Sequence, residues 1–162
     1  FKPDGVIHAG NSSGIVDGAA AVVLASRKKA RELGAKPRAK IVTTAIAGSD
    51  PILMLTGPIP STQKALARAG LKVSDIDLWE INEAFASVTL NSVRMLGIDE
   101  DRVNVNGGAV AIGHPIGASG ARILGALVHE LRRRGGGLGC AAICSGGGQG
   151  DAVILKVHAN GA

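Results

Sequence analysis

The chain has 162 residues, of which 46% are hydrophobic, 19% are charged and only 2% are aromatic. This length supports one domain with its own core, and a core made mainly of Ala, Val, Ile and Leu suits a buried parallel sheet covered by helices. The net charge of +5 does not indicate a nucleic-acid partner, because three aromatic side chains cannot supply the stacking platforms of a single-strand binder. No apolar run reaches the roughly 20 residues of a membrane span.

Hydrophobic periodicity in the first half predicts alternating strands and helices. Ser61 is expected to be the N-cap of a helix that Gly70 ends. Residues 1–13 are expected to be the tail of an upstream connecting region, and residues 14–162 a single domain. The predicted elements are a strand over 19–26, a helix over 27–33, a strand over 40–47 and a helix over 62–69.

The second half continues the alternation and ends in a predicted β-hairpin. A glycine-rich loop over residues 107–117 interrupts it before a long, mostly apolar and therefore buried helix. The predicted elements are a strand over 78–81, a helix over 83–96, a brief strand over 103–105, a helix over 119–134 and strands over 139–144 and 152–157. The order is that of a layered α/β fold.

His114 lies between Gly113 and Pro115 on a loop that leads into the long helix. A histidine held this way can exchange protons near neutral pH. The alternative is a surface histidine that only hydrogen-bonds the backbone, and for an isolated Gly-His-Pro this alternative is the commoner one.

Cys144 ends a predicted strand and is followed by the glycines of residues 146–148. Functional sites of α/β folds lie at the carboxyl ends of strands, and backbone N–H groups of glycines can approach an oxyanion closely. A small buried cysteine is the alternative for Cys144, and it is the interpretation we give Cys140, which lies inside the strand. The two thiols are roughly 13 Å apart along that strand, so they cannot form a disulfide. A reducing compartment is therefore expected, and we predict a cytoplasmic location, although Phe1 in place of an initiator Met leaves an upstream targeting segment open.

Asn82 comes where a strand turns into a helix, so it is either an N-cap or a holder of a catalytic water. Nucleotide binding is disfavoured, because the chain has no Gly-Lys-Ser/Thr and its last glycine cluster precedes a strand. We expect no metal site, because His8, His114 and the two other histidines lack ligand spacing. No cofactor is expected.

Together these segments resemble the thiolase family along essentially the whole chain. The resemblance rests on Asn82-Glu83-Ala84-Phe85, on Gly113-His114-Pro115 running into Gly117-Ala118-Ser119-Gly120-Ala121-Arg122, on Cys144 with its glycines, and on Gly10-Asn11-Ser12-Ser13-Gly14 before Asp17-Gly18-Ala19-Ala20. It implies the carboxyl-terminal half of a layered αβαβα fold. It departs at His8, where we expect a small or hydroxyl-bearing residue. A β-ketoacyl synthase-like enzyme is a weaker alternative, because that family has a second histidine where this chain has Cys144.

The resemblance also implies an activity, the reversible conversion of acyl-CoA and acetyl-CoA into a 3-oxoacyl-CoA and CoA in fatty acid metabolism. His114 resembles the base that activates a nucleophilic cysteine, and Cys144 resembles the acid/base acting on the α-proton of acetyl-CoA. Asn82 resembles the residue that holds an oxyanion-stabilising water. Gly146 resembles one arm of a second oxyanion hole, and Ser13 a serine that contacts the pantetheine of CoA.

The same resemblance places the nucleophilic cysteine in an amino-terminal half that these residues do not include. We therefore expect the isolated chain to be inactive, to need that half, and to work within a homodimer or homotetramer. The alternative is a non-catalytic CoA-binding or docking fragment.

Overall fold

The computed structural model describes residues 2–159 of the chain. Phe1 and residues 160–162, at the outer ends of the two predicted segments, lie outside the described residues. The helices are α1 (Arg27–Glu32), α2 (Pro58–Ala69), α3 (Ala86–Leu96), α4 (Ala109–Ile112) and α5 (Ser119–Arg133). The strands are β1 (Lys40–Gly48), β2 (Leu78–Ile81), β3 (Gly137–Ser145) and β4 (Gln149–Val157). None of the helices described over 2–159 is long and apolar enough to cross a membrane.

The four strands form one sheet in the order β1-β4-β3-β2. Only β2 and β3 are parallel; β4 is antiparallel to both of its neighbours. The prediction of a parallel sheet is therefore wrong, whereas the predicted hairpin of the last two strands is confirmed. The physical reason is the connection between β3 and β4, which is too short for the crossover that parallel neighbours need.

Alternation along β2 assigns its side chains to two cores on opposite faces of the sheet. Trp79 and Ile81 pack in one core with residues of α2 and α3. Leu78 packs in the other with Leu127 and Leu131 of α5. Burying an aliphatic side chain of this size contributes roughly 1.5–3 kcal/mol, so these helices hold the sheet as the middle of three layers.

Helix α2 begins earlier than predicted. Ser61 is not its N-cap: it lies fully buried inside the helix, and its hydroxyl donates to the carbonyls of Gly57 and Pro58. Proline is well suited to a first helical turn, where its missing N–H has no intrahelical partner to lose. The predicted end is confirmed, because Gly70 adopts the left-handed conformation at φ 64°.

Two predictions around the middle of the chain are also wrong in detail. Helix α3 begins at Ala86 rather than at residue 83, because the backbone is still extended at Phe85 (φ −140°, ψ 151°). The Glu83 side chain holds a neighbouring loop instead. Residues 103–105 form no strand: Val103 makes a single parallel bridge to Trp79, and the pairing stops at Asn104, whose φ is 47°. The glycine-rich loop, in turn, contains the short helix α4.

The predicted strand over residues 19–26 is absent from the described structure. Val22, Val23 and Leu24 are 47%, 95% and 74% exposed. A continuous apolar run indicates burial only where another element covers it, and no element within residues 2–159 covers this one. The flanking predictions of a helix after Ser26 and of strand β1 are confirmed.

Candidate functional site

The candidate site lies at the carboxyl ends of the parallel pair β2 and β3. Asn82 directly follows β2, and its backbone N–H donates to Ala142 of β3 at 3.0 Å. Cys144 lies two residues farther along β3. Because parallel neighbours end at the same edge of a sheet, residues that are distant in sequence meet here.

The loop that carries His114 is fixed by backbone contacts. The His114 N–H donates to the carbonyl of Gly14 at 2.8 Å. Gly113 has a φ of 90°, and a Cβ at this position would overlap the side chain of Val16. Glycine is therefore required before His114 both for its backbone conformation and for its close packing.

Both ring nitrogens of His114 have partners. Nδ1 lies 2.6 Å from the hydroxyl oxygen of Ser119, and Nε2 lies 3.2 Å from Nδ2 of Asn82. Partial burial and the nearby Arg122 guanidinium lower the pKa of His114 below its ordinary value. The imidazole is therefore neutral at neutral pH, which is the form that accepts a proton.

An open cleft of about 450 Å³ adjoins these groups. His114, Cys144 and Gly146 all line it. Its apolar wall includes Met54, Leu55, Ala84, Ile116 and Ile143. The structure thus brings the predicted histidine, cysteine and glycine to one cavity, with Asn82 attached through His114.

The two cysteines differ in their surroundings as the sequence predicted. Cys140 is fully buried, and burial raises the pKa of its thiol to about 12. Cys144 is 8% exposed at the cleft, and burial also raises the pKa of its thiol. A raised pKa keeps the Cys144 thiol protonated at neutral pH, so it can donate a proton more readily than it can attack as a thiolate.

Of the remaining predicted residues, Gly146 lines the cleft and Ser13 contacts Ala84, another residue of the lining. A Cβ added to Gly146 would have no atom within 4 Å, so a ligand has room to approach this backbone. Ser13 is tied to Ala84, to whose carbonyl its hydroxyl and its N–H both donate, at 2.8 and 3.1 Å. His8 is exposed and accepts a hydrogen bond from the N–H of Gly10 through its ring.

Sequence reasoning gave no role to four polar residues of the site. Ser119 binds the His114 ring, Arg122 donates to Asn82 at 3.2 Å, and Glu83 accepts from Asn104 and from the N–H of Val110. The fourth is Glu80, only 6% exposed, whose carboxyl pKa is raised to about 7, chiefly by burial. Glu80 could have been singled out from the sequence, because it is the one charged residue in the otherwise apolar strand Leu-Trp-Glu-Ile. In residues 2–159 no three side chains of the His, Cys, Asp or Glu types are grouped as metal ligands.

The sequence matches the family described as "Thiolase, C-terminal domain" over residues 35–157. The chain belongs to the thiolase family. An acetyl-CoA acetyltransferase of Syntrophomonas wolfei is 54% identical over 158 residues, and human mitochondrial 3-ketoacyl-CoA thiolase is 51% identical over 156. Each alignment covers 96% of this chain but only 40% and 39% of the relative, so the chain spans about two-fifths of the length of these thiolases.

Solved thiolase structures share the fold. The Bacillus anthracis acetyl-CoA acetyltransferase superposes with a TM-score of 0.94 at 48% identity, covering 97% of this chain and 40% of that one. The human mitochondrial 3-ketoacyl-CoA thiolase in complex with CoA superposes with a TM-score of 0.90 at 46% identity, and it too covers 97% of this chain and 40% of that one. The α/β fold of this chain is therefore that of the carboxyl-terminal half of a thiolase, as the resemblance implied.

Proposed function

We propose that this chain forms the carboxyl-terminal part of an acyltransferase that interconverts acyl-CoA plus acetyl-CoA with a 3-oxoacyl-CoA plus CoA. The observation that carries the proposal is the meeting of His114, Cys144 and Gly146 at one cleft, with Asn82 bound to His114. Relatives named acetyl-CoA acetyltransferase and 3-ketoacyl-CoA thiolase support the reaction class.

In the proposed reaction, an acyl group is first transferred from CoA to a cysteine thiolate supplied by a segment other than these 162 residues. Neutral His114 accepts the proton of that thiol and passes it to the departing CoA thiolate. Cys144 then gives its own thiol proton to His114 and, as a thiolate, removes the α-proton of acetyl-CoA. The resulting carbanion attacks the acyl thioester, which forms the new carbon–carbon bond and releases the cysteine thiolate, and this thiolate takes back the proton held by His114. In the opposite direction, Cys144 returns a proton to the departing acetyl-CoA enolate.

Two sets of hydrogen-bond donors are proposed to stabilise the oxyanions of this reaction. His114 and a water held by Asn82 would face the enolate oxygen, and the Gly146 N–H would face the oxygen of the tetrahedral intermediate. Removing one such donor typically lowers the rate about 10²–10³-fold. Ser13 beside Ala84 is the proposed contact for the pantetheine chain. The substrates are CoA thioesters, and no cofactor is invoked.

Exposed apolar side chains in two places support the proposed need for a second polypeptide segment. Val23 and Leu24 in the uncovered run are 95% and 74% exposed, and Ile46 on edge strand β1 is 62% exposed. A run of large exposed apolar side chains and an uncovered strand edge are features that proteins normally cover. We propose that the amino-terminal half of a thiolase covers them, within a homodimer or homotetramer. A cytoplasmic location stays a prediction.

A chimaera tests the proposal. These residues would replace the matching carboxyl-terminal segment of the Syntrophomonas wolfei acetyl-CoA acetyltransferase, and acetoacetyl-CoA thiolysis would be measured. We expect turnover by the chimaera and its loss with His114→Ala, whereas His129→Ala, at an exposed position on α5, should keep activity. A folded chimaera without thiolysis, or one unaffected by His114→Ala, would contradict the proposal.

A further inference from the structure

Arg122 is a charged side chain of α5 that the proposed reaction does not use. It is three residues beyond Ser119, and its Nη2 donates to Oδ1 of Asn82 at 3.2 Å. Its Nε is buried and has no hydrogen-bond partner within residues 2–159. Asn82 itself is 1% exposed, so the orientation of its amide is decided by its protein partners.

The contacts of Arg122 define the direction of a hydrogen-bond chain. A guanidinium group can only donate, so the Asn82 atom facing it is the amide oxygen and the atom facing His114 is the NH₂. An NH₂ group also only donates, so Nε2 of His114 is the acceptor. The ring proton must then lie on Nδ1, which is 2.6 Å from the Ser119 hydroxyl. That hydroxyl in turn donates to the carbonyl of Pro115 at 3.1 Å.

We propose that Arg122 is a positioning residue that fixes the Asn82 amide and thereby holds His114 in the tautomer protonated at Nδ1. This inference rests on the proposed function, because in that function His114 must accept a proton at Nε2. Nε2 then presents its lone pair for the incoming proton. The contact from Asn82 at 3.2 Å is long enough to yield to a stronger donor.

Loss of Arg122 would remove the constraint on the amide. A flipped Asn82 would turn its oxygen towards Nε2 and favour a proton there, which blocks the base. With Arg122 in place, the flipped amide would point its NH₂ at the guanidinium, so two donors would oppose each other. Arg122 therefore disfavours the alternative tautomer through the direction of its hydrogen bond. Its charge acts separately, by lowering the pKa of His114.

The charged and titratable groups around His114 lie on several elements. Arg122 is on α5, Cys144 ends β3 and Asp151 of β4 lines the same cleft. Glu80 of β2 interacts electrostatically with Arg122 and with Glu83. Burial and, to a smaller extent, Arg122 lower the pKa of His114. Replacing Arg122 by a neutral residue should therefore raise this pKa, whereas lysine should keep most of the charge effect.

Nitrogen-15 NMR of the full chain, labelled at histidine, tests the inference without substrate. The chain has four histidines, and His114→Gln identifies the signals of His114. We expect a proton on Nδ1 and none on Nε2 at neutral pH. In Arg122→Met we expect a substantial Nε2–H population and a raised pKa. Arg122→Lys should keep the lowered pKa but lose the single tautomer. Arg132→Met, at an exposed position of the same helix, is the matched control and should leave His114 unchanged.

A wild-type His114 protonated at Nε2 would overturn the inference whether or not the variants fold, and so would an unchanged tautomer in a folded Arg122→Met variant. In the chimaera, Arg122→Met should lower kcat about 10–100-fold with little change in KM and move the pH profile towards higher pH. An active chimaera with the wrong tautomer refutes only this inference. An inactive, folded chimaera with the expected tautomer refutes only the proposed function.

Discussion

The carboxylate of Glu83 accepts a hydrogen bond from the backbone N–H of Val110 at 3.0 Å, across 27 residues of sequence. The same carboxylate accepts from the amide of Asn104 at 2.8 Å. It therefore joins the segment after β2 to the start of α4, four residues before His114. The position of the proposed base depends on this carboxylate.

Gly108→Ala tests this connection. An added Cβ would overlap the Glu83 carboxyl group, which cannot move aside without breaking its bonds to Asn104 and Val110. We expect a loss of about 1–3 kcal/mol in the free energy of unfolding, measured by urea denaturation. Gly125→Ala is the matched control, since a Cβ there meets nothing within 4 Å and should stabilise α5 by about 0.5–1 kcal/mol. Equal effects at both positions would contradict the argument.

The stability of the chain should depend on the protonation of Glu80. Burial raises the pKa of this carboxyl from 4.5 to about 7 in the folded state. The folded chain therefore binds more protons than the unfolded chain within this window, and its stability falls as pH rises from 4.5 to 7. The full effect is about 3 kcal/mol.

The measurement for Glu80 is urea denaturation at about pH 5 and about pH 8. Glu80→Gln should flatten the fall in stability between these two conditions, whereas Glu100→Gln, an exposed control, should leave it unchanged. If Glu80→Gln and the wild type show the same pH dependence, the carboxyl does not titrate as proposed.

Met54 and Leu55 both line the cleft and both have positive φ angles, 47° and 48°. A side chain costs about 1–2 kcal/mol in this region because of its Cβ. Leu55→Gly should therefore stabilise the chain by about 0.5–1 kcal/mol, whereas Leu53→Gly, at a 70% exposed position without positive φ, should destabilise it. The midpoints of thermal unfolding of the two variants would be compared. If both midpoints move in the same direction, the positive φ of Leu55 does not cost the chain stability.

The residues that meet at the cleft were easier to select from the sequence than the full set of elements, although their roles stay a prediction. Asn82 follows a strand, Cys144 lies at the end of one, and His114 lies between a glycine and a proline in a loop. Each of these positions can be recognised from the neighbouring residues in the sequence. The uncovered run over residues 19–26 could not be placed, because its burial depends on what lies over it. A parallel sheet was predicted from the composition, which carries no information on strand direction, and the sheet is in fact mixed.

The hydrogen bonds that hold the site residues in place were harder to predict than the site residues themselves. Ser119 and Arg122 were part of a recognised motif, but their tasks depend on distances to Asn82 and His114 that only folding creates. Glu83 was assigned to a helix that in fact begins at Ala86. Its long side chain instead makes contacts more than 20 residues away, which helix periodicity cannot indicate.

The isolated chain should not catalyse thiolysis. Cys140 is inside the core and Cys144 is suited to proton transfer, so neither is placed as an acyl carrier. Incubation of the purified chain with acetoacetyl-CoA and CoA should give no acetyl-CoA above the buffer control. Turnover would mean that one of these cysteines is itself the nucleophile, and Cys144→Ala and Cys140→Ala would identify which.

Cys144→Ala in the chimaera should damage carbon–carbon bond formation more than acyl transfer to the enzyme. The proposed task of the thiol is to remove the α-proton of acetyl-CoA, whereas acyl transfer needs the upstream cysteine and His114. Losing a positioned acid/base typically slows its step by about 10²–10⁴-fold. Labelled acyl-enzyme formation and overall condensation would be measured on the same variant.

The matched control for this comparison is Cys140→Ala, which removes a buried thiol from the same strand. It should affect both steps only through a loss of stability, so its two rates should stay in proportion once the folded fraction is known. Proportional losses in Cys144→Ala would mean that Cys144 is structural or also serves acyl transfer. An unchanged condensation rate would remove Cys144 from the mechanism, because the carbanion would then form without its thiol.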